Sequence, residues 1–79
     1  MNNIEKYTQA FIDAFSTDAE TAPTLKYQSI KAWDSVGHMG LVAIIEEAFG
    51  IMLEMDDIID FSSFEKGKEI LSQKYAVVF

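Results

Sequence analysis

The feature that most limits what this chain can form is the return of apolar residues every three or four positions in three separate stretches. Ile4, Tyr7, Phe11 and Phe15 share one stripe of a helix. Leu41, Val42, Ile45, Ala48 and Phe49 share one side of a second, and Phe64, Leu71 and Tyr75, flanked by Ile70, line a third. The helix boundaries carry matching signals. Asn2 or Asn3 can cap the first helix, and Asp34-Ser35 can open the second by accepting hydrogen bonds from unpaired backbone amides. Gly50 after Phe49 suits a left-handed C-cap. Ser62, with Glu65 three residues on, offers a capping box for the last helix. Between these, Asp56 to Phe61 reads as one or two helical turns with acids at the positive end, too short to stand alone. The expected fold is all-α, a small four-helix bundle of three longer helices and one short one.

The first and second helices are separated by a long loop, residues 16 to 34, which holds the only proline, Pro23. Such a length without regular structure is unusual unless the loop packs or works. Leu25, Tyr27, Ile30 and Trp33 recur in it and are expected to pin it across the bundle. The predicted core is Ile4, Tyr7, Phe11, Phe15, Leu41, Ile45, Phe49, Ile51, Ile58, Phe64, Ile70 and Leu71. The 79 residues make one domain, residues 1–79. A chain of this size buries only about 60% of its unfolded surface, which leaves little material for a deep catalytic pocket. A free-standing enzyme is therefore disfavoured.

Charge narrows the partners. There are 13 acidic and 6 basic residues, a net charge of −7, so nucleic acid and anionic membranes are repelled and the natural complement is a protein with a basic patch. The absence of cysteine removes disulfides, thiolate metal sites and cysteine nucleophiles, and one histidine makes a histidine-rich metal site equally improbable. The N-terminal Met1-Asn2-Asn3-Ile4-Glu5-Lys6 leads into an amphipathic pattern and not an apolar run, so a cytoplasmic location is expected; a monomer is expected as well. The longest apolar stretch, Leu41 to Ile45, is far too short to cross a bilayer.

At the start of the second helix stands Trp33-Asp34-Ser35-Val36. The helix continues through Leu41 and Ile45 to Glu46-Glu47-Ala48-Phe49, and Ile51 and the acidic Asp56-Asp57 follow. This order and spacing resembles the acyl and peptidyl carrier proteins, whose signature is Asp-Ser-Leu and then a helix with spaced aliphatics ending in Glu-Glu-x-Phe. The resemblance covers most of the chain and is strongest from residue 27 to residue 71. It implies that Ser35 receives 4'-phosphopantetheine from coenzyme A through a phosphopantetheinyl transferase. Asp34 would assist the modification by helping that enzyme bind its metal. It further implies partner enzymes that load, extend and transfer acyl groups held as thioesters, and it makes sense of the missing cysteine, because the working thiol belongs to the cofactor. The protein would be a carrier and not an enzyme.

The outer face of the second helix, with Val36, Met39, Ala43, Glu46 and Glu47, mixes apolar contacts with carboxylates, as a transient docking surface requires. Glu54, Asp56 and Asp57 are expected to extend it toward basic patches on partners, in which case association weakens as salt is added. A partner affinity unchanged between low and high salt would exclude this. Independently of any family, a phosphodiester at Ser35 would lie at a helix N-terminus, where backbone amides and the dipole favour negative charge. Taken alone, a serine there is more often a cap.

Gly37 and Gly40 each sacrifice roughly 1 kcal/mol of helix propensity relative to alanine. Close approach of a partner or of the cofactor arm is one reason, and a tolerated weakness near a helix end is the other. These glycines, and Val36 where leucine is commonest, depart from the fatty-acid type and leave partner identity open. Trp33 and Gly37-His38 favour a specialised pathway, with fatty-acid synthesis, D-alanyl or peptidyl transfer as alternatives. An unmodified acidic helical adaptor is the rival from another class. His38 with Ser35 and Asp34 does not make a hydrolase, since the three crowd one helical turn without a Gly-x-Ser-x-Gly elbow or an oxyanion hole. It falls on the side of Leu41 and Ile45, which makes it a packed histidine at the top of the core. Asp56, Asp57 and Asp60 lack the spacing of a calcium loop.

Overall fold

The computed structural model describes residues 2–79 as four helices and one short turn of helix. The first helix, α1, spans Asn3–Phe15 and is capped by Asn2, whose side chain accepts from the Glu5 amide in a complete capping box. Helix α2 spans Ser35–Phe49, α3 Met55–Asp60 and α4 Phe64–Lys74, with a 3-10 turn at Ala22–Thr24 in the loop between α1 and α2. No strand is present among the described residues, and the one β-type pairing is an isolated antiparallel bridge between Lys26 and Ser63.

The boundaries follow from local chemistry. Asp34 caps α2 through its carboxylate, which accepts from the Gly37 amide at 2.8 Å. Gly50 ends that helix with φ +64°, the left-handed conformation that glycine adopts without penalty. The last helix starts one residue later than its capping signal predicts. Ser63, not Ser62, is the N-cap, accepting from the Lys66 amide, because the Ser62 carbonyl is already engaged by the Tyr27 amide at 2.8 Å. That contact holds Ser62 in the loop and moves the helix start to Phe64.

The long loop is sewn to the bundle by its backbone. The Phe64 amide donates to the Leu25 carbonyl and the Gln28 amide to the Trp33 carbonyl. Of the four side chains expected to pin it, Leu25 and Trp33 are buried, Ile30 packs at the edge of the core and Tyr27 is partly exposed, with its ring edge-on to Trp33 and His38. Trp33 is fully buried and stacks on Phe15 at 5.1 Å between ring centroids, while Phe11 meets it edge-on.

The core contains the expected Tyr7, Phe11, Phe15, Leu41, Ile45, Phe64, Ile70 and Leu71. Ile4, Phe49, Ile51 and Ile58 are only partly buried and pack against its rim. Leu53, Phe61 and Val77 join it from segments without helical periodicity. Gly37 owes its identity to the protein's own backbone, because a Cβ there would collide with the Ala32 carbonyl and press on Phe15. Gly40 faces open space, so of these two glycines it is Gly37 whose missing side chain the fold demands. Gly37→Ala is expected to lower stability by about 1–3 kcal/mol through this overpacking, despite alanine's better helix propensity. The urea midpoint of the variant checks it, and a rise would contradict the packing described.

Candidate functional site

Three elements converge at one end of α2. The loop delivers Trp33 and Asp34, the helix begins at Ser35, and α3 lies alongside. Asp34 supplies the cap, so Ser35 is not needed for that purpose and stands exposed as the first helical residue. Its position places any group on the hydroxyl near the free backbone amides of the α2 N-terminus, a favourable setting for an anion. Beside Ser35 runs a groove of about 400 Å³ between α2 and α3. Its walls are mostly apolar, from Met39 on one side and Met55, Ile58 and Ile59 on the other, with His38 and Phe61 at its base.

His38 is 9% exposed, as expected for a packed histidine. The Trp33 indole N–H donates to its Nδ1 at 2.9 Å, and its Nε2 lies 2.7 Å from the Ile58 carbonyl oxygen. An indole nitrogen can only donate, so Nδ1 must carry the lone pair and Nε2 the proton given to Ile58. The neutral imidazole thus ties the loop, α2 and α3 together.

Most of the residues expected on a docking face are exposed. Val36 and Met39 are exposed large apolar side chains, and Ala43, Glu47, Glu54 and Asp56 are exposed as well. Two expectations need correction. Glu46 is mostly covered, and its carboxylate turns inward to accept from the Leu53 amide at 2.9 Å, fixing the connection after α2. Asp57 is not a surface residue, with its side chain 3% exposed. Its Oδ1 accepts from Lys74 Nζ at 2.7 Å and its Oδ2 from the Tyr75 hydroxyl at 2.6 Å. The Tyr75 oxygen in turn accepts from the Glu54 amide, so the network closes α3 onto the end of α4.

The Lys74 and Tyr75 hydrogen bonds hold the Asp57 carboxyl below the ordinary aspartate value. The same contact raises Lys74, and burial followed by the bond to Asp57 raises Tyr75. With the folded-state value depressed, the Asp57 contribution is complete at neutral pH. It disappears as pH falls from the ordinary value, about 3.8, through the lower folded one. Asp57→Asn is expected to lose stability at neutral pH and to flatten this stretch of the acid-unfolding profile. Urea midpoints down to about pH 2 measure it. Parallel profiles for the two proteins would contradict the network.

Sequence reasoning missed Lys74 and Tyr75, and it missed Tyr27, Met55 and Ile59 as groove walls. The only signal for the first pair was a lysine and a tyrosine closing the last amphipathic stripe. Among the described residues, no helix is long and apolar enough to cross a membrane, and no group of three His, Cys, Asp or Glu side chains is placed to hold a metal ion. Comparison of the chain with protein-family models, with curated proteins and with solved structures gives no match.

Proposed function

We propose that the protein is an acyl carrier whose Ser35 accepts a phosphopantetheine arm from coenzyme A. The observation that carries this reading is the exposed Ser35 hydroxyl, left uncommitted because Asp34 caps the helix, beside an apolar groove formed by α2 and α3. In the modification step the Ser35 Oγ attacks the coenzyme A phosphorus that bears the pantetheine. The new Oγ–P bond forms as the bond to the adenosine bisphosphate breaks, and the hydroxyl proton passes to a base of the transferase. The phosphodiester then lies by the α2 N-terminal amides. When attached, the arm supplies the thiol that this chain lacks, so acyl groups travel as thioesters.

The chain's own role is presentation. Val36 and Met39 offer apolar contact next to Ser35, and the exposed Glu47, Glu54 and Asp56 supply charge for basic partner surfaces. Tethering raises the effective concentration of the cargo at each partner in turn. The dedicated pathway favoured by Trp33 and Gly37-His38 belongs to this proposal, as does a cytoplasmic setting. A fluorophore-bearing coenzyme A and a broad-specificity transferase are expected to make the chain fluorescent in a denaturing gel and to leave Ser35→Ala dark. An unlabelled folded wild type that carries no arm beforehand would give the lead to the adaptor reading.

A further inference from the structure

We infer that His38 is the floor of the groove beside Ser35, one that limits the groove to sheltering short acyl chains and keeps longer tails out of the bundle core. The inference rests on the carrier reading and adds to it the class of acyl group the groove shelters. The groove walls are apolar, but at the base His38 is held on both sides, by the Trp33 indole at Nδ1 and by the Ile58 carbonyl at Nε2. Its ring lies parallel to Trp33, with 16° between the planes, and edge-on to Phe61. One and two turns further along α2 are Leu41 and Ile45, both fully buried.

A tail that outgrew the groove could advance only by displacing this imidazole. Displacement would strand the indole N–H of a fully buried Trp33 without an acceptor. Moving α3 aside instead would also break the bond from His38 to Ile58 and strain the closure of Asp57 onto Lys74 and Tyr75. Both routes are held shut by satisfied polar contacts rather than by bulk alone. A short chain meets neither, because Met39, Met55 and Ile59 cover it within the groove. The remainder of a long chain would project past these side chains into solvent.

The test loads the full chain with butanoyl-, octanoyl- and dodecanoyl-coenzyme A through a transferase that accepts acylated donors, and confirms each product by intact mass. Melting temperature and the methyl resonances of Leu41 and Ile45 are then read. In the wild type, the octanoyl and dodecanoyl forms are expected to melt together and to leave both methyl signals where the butanoyl form has them. In His38→Ala, melting temperature should climb with chain length and the methyl signals should move. His38→Gln, which keeps an acceptor for Trp33 and a donor for Ile58, should restore the wild-type pattern. A wild type whose melting temperature climbs with chain length and whose Leu41 and Ile45 methyls shift would overturn the inference, even if His38→Ala does not fold. A folded His38→Ala that behaves as the wild type does would overturn it as well. If no donor adds mass at Ser35, the carrier reading itself fails and the inference falls with it.

Discussion

Trp33→Ala is expected to lower the folding free energy by about 3–5 kcal/mol, the loss typical of deleting a large buried aromatic side chain. Trp33 is fully buried, packs on Phe11 and Phe15 and donates to His38, so the change empties the junction of the loop with α1 and α2 and removes a satisfied polar pair. For a chain of this length, total stability is on the order of 4–12 kcal/mol, so a substantial unfolded population is expected for the variant at physiological temperature. Urea denaturation with linear extrapolation measures the difference. Trp33→Phe separates the two contributions. It keeps most of the ring but leaves the buried His38 Nδ1 without its donor, for an expected loss of about 1–3 kcal/mol. A Trp33→Ala variant as stable as the wild type would mean that the loop does not pack as described.

Val36→Asp is expected to reduce kcat/KM for arm transfer to Ser35 by about 30-fold while leaving stability within about 0.5 kcal/mol. Val36 is 80% exposed, the highest value among the large apolar residues of α2, and follows Ser35 directly. An enzyme that reaches the Ser35 hydroxyl must cover Val36, and a carboxylate there would be desolvated in a contact that has no use for it. A 30-fold loss corresponds to about 2 kcal/mol of transition-state binding, the size expected of a central interface residue. Steady-state transfer kinetics with coenzyme A decide the matter, with thermal melting to show that the fold is intact. Unchanged kinetics would place the docking contacts elsewhere than the exposed face of α2.

The helices were legible because the stripes and the end signals agree. Tyr7, Phe11 and Phe15 run along one face of α1, and Asp34 and Gly50 bracket α2 as their chemistry requires. Ser35 stood out only through the pattern around it, Asp34-Ser35-Val36 followed by spaced aliphatics and Glu46-Glu47-Ala48-Phe49, because a serine at a helix start taken alone is more often a cap. What the sequence did not reveal depends on distant contacts. Leu53 and Val77 lie outside the periodic stretches, so no stripe announced their burial. Ser62 lost the cap to Ser63 through a hydrogen bond from Tyr27, more than thirty positions earlier in the chain. Asp57 looked like one more surface acid because α3 has only six residues, too few to orient a face. Its burial is decided by Lys74 and Tyr75.

The central claim is that Ser35 carries a phosphopantetheine arm. Its most direct test is the intact mass of the folded protein before and after incubation with coenzyme A and a broad-specificity phosphopantetheinyl transferase, with Ser35→Ala alongside. The account predicts a single phosphopantetheine increment on the wild type, either gained in the reaction or already present, and none on the variant. A folded wild type that neither carries nor gains the increment, or a variant that gains it as well, would contradict the account.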